Sequence, residues 1–173
     1  MQQSLVCHKQ SPAGPVEGIE ALLTARGYHW LVEFQVRGAI DAIVVPARVS
    51  EPRFTHELWR TTCFEAFVGS GDAAYTEFNF SPSGAWAAYR FADYRAEMTS
   101  IRTKPPKTET RRADGLLVVT AALGLSKGTL GLSAVIEARD GSRSYWALVH
   151  PPGAPDFHHR DCFVLTLPPR TRA

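Results

Sequence analysis

Hydrophobic and polar side chains alternate with a period of two along much of the chain, and this pattern predicts β-strands. In the run CFEAFV, Glu65 shares one face of a strand with the cysteine and the second phenylalanine. In the run YTEFNFS, Glu77 and Asn79 share one face with the tyrosine and the serine. The three polar side chains are therefore predicted to converge on one surface of a sheet.

Strands bounded by turn residues account for most of the sequence. They are predicted at residues 28–36, 40–45, 58–68, 74–80, 85–91, 116–123, 130–138, 144–149 and 162–167. Asp140-Gly141 and the segment SPSG at 81–84 are hairpin signals, so neighbouring strands are predicted to be antiparallel. One short helix is predicted at 17–26, before Gly27. The predicted fold class is all-β: an antiparallel β-sandwich with jelly-roll-like connections.

A long basic loop is predicted at residues 93–114, where the chain is polar and contains the pair Pro105-Pro106. Between positions 102 and 112 it has five basic residues against one acidic residue, Glu109. Such a loop attracts an anionic ligand such as a phosphate or a nucleotide sugar, although a charged run of this kind is also typical of a solvated loop.

Size and composition favour one globular domain spanning residues 1–173, since 45% of the residues are hydrophobic. A net charge of +2 is too mild to predict binding to nucleic acid. No apolar run has the length of a signal peptide or a membrane span, so a cytoplasmic protein without membrane contact is predicted. The three cysteines form no CxxC pair, and neither a disulfide framework nor a standard zinc site is predicted.

Four runs in the sequence form a combined pattern. They are LWRTTCFE at 58–65, YTEFNFSPSGAW at 75–86, YRFADYR at 89–95 and DFH at 156–158. Together they resemble the DOMON-like domains, which are close to family 9 carbohydrate-binding modules. The resemblance implies a β-sandwich like those modules, which binds sugars or, in some branches, haem. A bacterial subgroup is sometimes joined to a cell-wall precursor reductase, but this chain is too short to contain a flavin-dependent reductase as well.

A sugar needs polar groups for its hydroxyls and flat aromatic rings for its C–H faces. The predicted ligand-binding residues are Trp59, Glu65, Glu77, Asn79, Trp86, Arg95 and His158. The resemblance makes the two tryptophans the stacking candidates, with the carboxylates, the amide and the arginine as hydrogen-bonding partners. His158 joins them if its loop folds over the sheet. The predicted function is therefore non-catalytic binding of a carbohydrate or a sugar-derived metabolite.

Alternative interpretations remain open for the same residues. The tryptophans are also typical of core anchors, and Glu65 and Glu77 could be neutralised by internal salt bridges with an arginine at position 60, 90 or 95. Two facing carboxyls could act as the acid and base of a glycosidase, although no catalytic motif accompanies them and no catalytic residue is predicted. A free-standing sandwich could instead dock a protein partner.

No cofactor or metal is predicted. The oxygen donors Glu65, Glu77, Asn79 and Asp93 are not set in a compact calcium-binding loop. For haem, Met98 is a candidate axial ligand, but no histidine pairs with it by a sequence rule. The histidines and acids between positions 150 and 162 match no established zinc spacing.

Overall fold

The structure, a computed structural model, describes residues 1–27, 29–71, 73–102, 104–124 and 128–168. Its strands are β1 Gln2–Cys7, β2 Val16–Arg26, β3 His29–Gly38, β4 Cys63–Gly69, β5 Tyr75–Phe80, β6 Trp86–Phe91, β7 Thr99–Ser100, β8 Thr108–Ala113, β9 Leu116–Leu123, β10 Gly128–Glu137, β11 Arg143–Ala147 and β12 Leu165–Leu167. Short 3₁₀ helices lie at Ile40–Ala42, Leu58–Arg60 and Arg160–Cys162. Across this described part of the chain, no helix has the length and apolar character needed to cross a membrane.

The strands form one antiparallel sheet that curls on itself. Their order is β7-β6-β5-β4-β10-β11-β1-β2-β3-β9-β8. The short strand β12 also pairs with β10 but is not part of this linear order. The strand β1 is the junction, because its first four residues pair with β2 and its last two pair with β11. We call β4, β5, β6, β7, β10, β11 and β12 the β4 half, and β2, β3, β8 and β9 the β3 half.

The main hydrophobic core lies between the two halves. Phe34 of β3 and Phe64 of β4 meet there with their ring centroids 4.9 Å apart. A second buried cluster covers the other face of the β4 half, and it includes Phe67, Tyr75 and Phe157. Because side chains alternate along each strand, the β4 half has one face in the core and one face available for a site.

The prediction of an all-β antiparallel fold is confirmed. The finer prediction of a jelly-roll-like sandwich stays a prediction, since hydrogen bonding continues through β1 as one curled sheet. The short helix predicted at 17–26 is wrong, because this segment forms β2. Its glutamate, alanine and leucine residues favour helices, but Ile19, Ala21 and Leu23 point alternately into the core, and neighbours on both sides pair with its backbone.

The predicted loop at 93–114 is also corrected, since it contains β7 and β8. The strand β8 lies at the edge of the β3 half, and its charged side chains are mostly exposed. Polar residues are common on edge strands because they discourage pairing with other molecules. A strand made of polar residues shows no hydrophobic alternation, so the sequence pattern does not predict it. Position 103, within the predicted loop, lies outside the described residues.

Other predicted boundaries shift where the chain turns before it pairs. The strand predicted at 40–45 is a 3₁₀ helix followed by a single bridge between Ile43 and Ala138. The strand predicted at 58–68 begins with a 3₁₀ helix and pairs only from Cys63 onward. The strand predicted from position 28 starts on a residue outside the described ones, and β1 was not predicted at all.

Candidate functional site

A cavity of about 590 Å³ lies on the outer face of the β4 half, between the sheet and two covering segments at 56–59 and 155–158. It is lined by His56, Glu57, Trp59, Glu65, Phe67, Glu77, Tyr89, Phe91, Arg95, Met98, Val135, Tyr145, Pro155, Phe157 and His158. A volume of this size is typical of small-molecule sites. The period-two alternation of β4, β5 and β6 builds its floor, and the loops build its walls.

Two carboxyl groups lie on the floor of the cavity. Glu65 is 3% exposed and Glu77 is 5% exposed. Glu65 pairs directly with Asn79 across β4 and β5, so Glu77 is its diagonal neighbour, roughly 7–8 Å away. The Ser133 hydroxyl donates to Glu65 Oε2 at 2.9 Å, and the Asn79 amide donates to Glu77 Oε1 at 2.5 Å. Each carboxyl therefore has one oxygen held by a polar neighbour and one that is available for another partner.

Burial controls the protonation of these carboxyls. Burial, followed by repulsion from Glu77, raises the pKa of Glu65 to about 8, against the weaker opposing effects of Ser133 and Arg95. Burial also raises the pKa of Glu77, although the Asn79 amide and Arg95 favour its charged form. The thiol of Cys63 lies beside the pair, and burial and the two carboxyls raise its pKa. The floor is a place where negative charge is costly unless a ligand or cation compensates it.

His158 closes one side of the cavity above the floor. Its Nδ1 lies 2.7 Å from the Tyr75 hydroxyl, which also accepts the backbone N–H of Arg95 at 3.1 Å. If the hydroxyl donates to Nδ1, the neutral imidazole carries its own proton on Nε2, which lies 3.7 Å from Glu77 Oε2. Burial, with a further contribution from Arg95, lowers the pKa of His158 to about 4, so the ring is neutral at pH 7.

An aspartate anchors the covering segment to the loop after β6. Asp156 accepts hydrogen bonds from the Tyr94 hydroxyl at 2.7 Å, from the Arg95 guanidinium at 2.9 Å and from the backbone of His158 at 3.2 Å. Partial burial opposes its ionisation, but these donors outweigh burial and lower its pKa. Arg95 has a φ of 52°, in the left-handed region that residues other than glycine rarely adopt. We call these three residues, Tyr94, Arg95 and Asp156, the latch.

Aromatic side chains form much of the cavity wall. Trp59, at the mouth, is 47% exposed, and the Arg60 guanidinium lies 5.5 Å from its ring centroid. A 3.0 Å hydrogen bond joins the Tyr89 hydroxyl to His56 Nδ1. Phe91 stacks on Tyr75 with the ring centroids 4.8 Å apart. The site thus combines flat apolar surfaces with a polar floor, which is the combination that sugar rings require.

The structure brings together five of the seven residues predicted for the site, since Trp59, Glu65, Glu77, Arg95 and His158 all line the cavity. Asn79 does not line it, but its amide holds Glu77 from below.

Trp86 lies elsewhere. It is 3% exposed, pairs across the sheet with Phe80 of the core, and meets Phe54 with a 5.3 Å centroid distance. The stacking role predicted for Trp86 therefore does not fit its position, because a side chain beside Phe80 leaves the sheet on the face opposite Glu77 and Asn79.

Several cavity residues were not among the predicted site residues, namely His56, Glu57, Phe67, Tyr89, Phe91, Met98, Val135, Tyr145, Pro155 and Phe157. For Phe67 a signal was present, because it shares the period-two face of Glu65. Tyr89 and Phe91 share a face of β6 in the same way. His56 and Phe157 lie in loops that fold back over the sheet. Strand periodicity cannot predict where a loop packs, so these residues could not be found from the sequence.

Two of the arginines and one of the oxygen donors considered beside Glu65 and Glu77 have other partners in the structure. Within the described ranges, Arg60 forms its ion pair with Glu57, and Arg95 forms its own with Asp156, rather than with the floor carboxyls. Asp93 accepts from the backbone of Tyr94 instead of joining the floor. In the same part of the chain, no three histidine, cysteine or acidic side chains are grouped closely enough to hold a metal ion.

Comparison with known proteins shows a likeness of fold. No protein-family model matches the sequence, and no curated protein matches it either. The crystal structure of a proposed carbohydrate-binding protein from Bacteroides uniformis ATCC 8492 is similar with a TM-score of 0.66. The match has 15% sequence identity and covers 94% of this chain and 84% of that chain. The two proteins therefore share a fold, while the resemblance to DOMON-like domains and family 9 modules stays a hypothesis.

Proposed function

We propose that this protein binds a carbohydrate or a sugar-derived metabolite, without chemical turnover, in the cavity on the β4 half. The observation that supports this most is the pair of buried carboxyls on a floor whose walls are aromatic. Sugar hydroxyls need directional partners, and a carboxyl offers an acceptor when ionised and both a donor and an acceptor when protonated. Sugar C–H faces pack on flat rings.

The proposal gives each cavity residue a role. Trp59 stacks on one face of the sugar at the mouth, because it lines the cavity and is 47% exposed. Glu65 and Glu77 bind hydroxyls at the floor through the oxygens that Ser133 and Asn79 do not occupy. His158 and Arg95 form the opposite side of the cavity, where Asp156 of the latch accepts hydrogen bonds from both. This differs from the sequence interpretation in replacing a pair of stacking tryptophans with a single one.

The fold likeness agrees with this proposal. Carbohydrate binding is proposed for the Bacteroides uniformis protein, and the match covers 94% of this chain. The resemblance of four sequence runs to DOMON-like domains and family 9 modules points the same way. We include in the proposal that the curled sheet is a jelly-roll-like sandwich, since its halves face one another across one core.

Glycoside hydrolysis is a second candidate that the carboxyl pair itself raises. Hydrolysis needs one protonated and one ionised carboxyl at the working pH. Burial raises the pKa of both Glu65 and Glu77, and among the described residues neither carboxyl forms an ion pair with an arginine or a lysine that would hold it ionised. Binding is therefore favoured over turnover. Release of nitrophenol from aryl glycosides, lost in Glu65→Gln and in Glu77→Gln, would establish hydrolysis instead.

Calorimetric titration with a panel of mono- and disaccharides tests the proposed binding. We expect a saturable heat for at least one sugar, weakened about tenfold in Trp59→Ala because the stacking surface is gone. Val164→Ala is the matched control, since Val164 is about as exposed as Trp59 but does not line the cavity. A panel without any saturable heat would refute the proposal, and equal weakening by both variants would refute the role of Trp59.

A further inference from the structure

The cations near the cavity floor are already committed to other partners. Arg95 donates to Asp156 at 2.9 Å, and Arg60 donates to Glu57 at 2.8 Å. His158 is held neutral by its surroundings and faces Glu77 from 3.7 Å, beyond hydrogen-bonding distance. Arg95 attracts the floor carboxyls only at longer range. The floor therefore has two acids and lacks a basic side chain of its own among the described residues.

The two acids present open acceptor positions to the cavity. Glu65 Oε2 is bonded to Ser133, and Glu65 Oε1 has no hydrogen-bonding partner within the described part of the chain. Glu77 Oε2 is likewise without a hydrogen bond there, since Asn79 occupies Oε1. Both side chains line the cavity and are more than nine-tenths buried. Neither oxygen is among the fully buried atoms that lack a partner, so both are accessible from the cavity, and a ligand bound there can donate to both carboxyls.

We propose that the cavity selects a sugar that carries an ammonium group, and that this group binds between Glu65 and Glu77 on the floor. This rests on the proposed function, since it names the class of sugar for the same site. An ammonium has three N–H donors, which is enough to reach both diagonal carboxyls and one further acceptor. Its positive charge also suits the aromatic side chains of Phe67 and Phe91, which line the cavity.

The protonation of the free site agrees with this assignment. Burial and Glu77 raise the pKa of Glu65 to about 8, which is the behaviour of an acid whose countercharge is missing. A ligand cation supplies that countercharge and favours the ionised carboxylate. A neutral sugar does not, so the charged ligand gains a charge-assisted hydrogen bond that the neutral one lacks.

Matched pairs of sugars test the inference. We would titrate the protein at pH 7, with EDTA present, using glucosamine against glucose, galactosamine against galactose, and mannosamine against mannose. We expect the amino member of the pair that fits to bind about tenfold more tightly than its parent hexose. Glu65→Gln should remove this preference, while Glu109→Gln, on the exposed strand β8, should keep it.

The outcomes separate this inference from the proposed function. A parent hexose that binds as tightly as its amino counterpart would overturn the ammonium site and leave sugar binding in place. Absence of binding by every sugar would overturn both. The comparison of ligands works on the wild-type protein, so it decides the question even if Glu65→Gln fails to fold.

Discussion

Two tryptophans that look equivalent in the sequence occupy opposite environments in the folded protein. Trp59 follows a left-handed turn at Glu57 and lies at the mouth of the cavity, whereas Trp86 begins β6 and lies in the interior. Period-two reasoning could find the floor residues Glu65 and Glu77, because strand geometry alone fixes which face they share. It could not predict the exposure of Trp59, because a 3₁₀ helix interrupts the strand pattern there.

Truncating these tryptophans should separate binding from stability. We expect Trp86→Ala to lower the free energy of unfolding by about 3–5 kcal/mol, because it leaves a cavity in a packed interior. Trp59→Ala should change it by less than about 1 kcal/mol, since nearly half of the side chain is already in water. Urea denaturation followed by circular dichroism measures both. A loss for Trp59→Ala as large as that for Trp86→Ala would show that Trp59 is a core residue.

At the scale of elements, the sequence could predict strands with one face in the core but not the strands at the edges. The strands β4, β5 and β6 follow the alternation closely, and their predicted ranges overlap the observed ones. The strand β8 carries polar side chains on both faces, so its sequence shows no hydrophobic alternation that would predict a strand. The strand β2 has residues of high helix propensity, and pairing on both sides decides its conformation. In both β8 and β2, pairing with strands that are distant in sequence determines the strand conformation.

The latch should hold the covering segment 155–158 over the cavity. Asp156→Ala removes three acceptor contacts, but Arg95 and Tyr94 are half exposed, so we expect a loss of stability of only about 1 kcal/mol. Amide hydrogen exchange in this segment should become faster, and sugar affinity should fall because His158 loses its anchor.

Asp161→Ala is the matched control for the latch. Asp161 lies five residues later, its side chain is more exposed than that of Asp156, and within the described ranges it pairs with His159. We expect it to change neither hydrogen exchange in the segment 155–158 nor sugar affinity. If both variants behave alike, or if Asp156→Ala leaves exchange unchanged, the latch does not hold the segment.

A glycine on β10 lets the chain after the covering segment approach the sheet. A Cβ at Gly131 would lie 2.8 Å from Phe163 Cδ1 and 2.9 Å from the carbonyl oxygen of Cys162. We expect Gly131→Ala to cost about 1–3 kcal/mol of stability, because the backbone at Cys162 has to move. Gly141→Ala is less suitable as a control because of its positive φ, whereas Gly18→Ala meets open space. Thermal unfolding of both variants measures the difference, and an equal effect would contradict the contact.

For the whole molecule, the floor of the cavity links folding to pH. The pKa of Glu65 is raised from 4.5 to about 8, so the folded state binds its proton more tightly than the unfolded state does. This contribution to stability is present below pH 4.5 and is lost as pH rises toward 8. The pKa of His158 is lowered from 6.5 to about 4, so its contribution has the opposite sign and increases between pH 4 and 6.5.

These two effects oppose one another up to about pH 6.5, and above it Glu65 acts without His158. Glu77 adds to Glu65 in the same direction, since its pKa is raised as well. We therefore expect the free energy of unfolding to fall between pH 6.5 and 8, by at most about 1.4 kcal/mol per pH unit from Glu65. Urea denaturation at half-unit intervals of pH measures this slope.

Glu65→Gln keeps the size of the side chain and should reduce the slope, whereas Glu109→Gln should not. A flat profile for the wild-type protein in this range would contradict the raised pKa of Glu65.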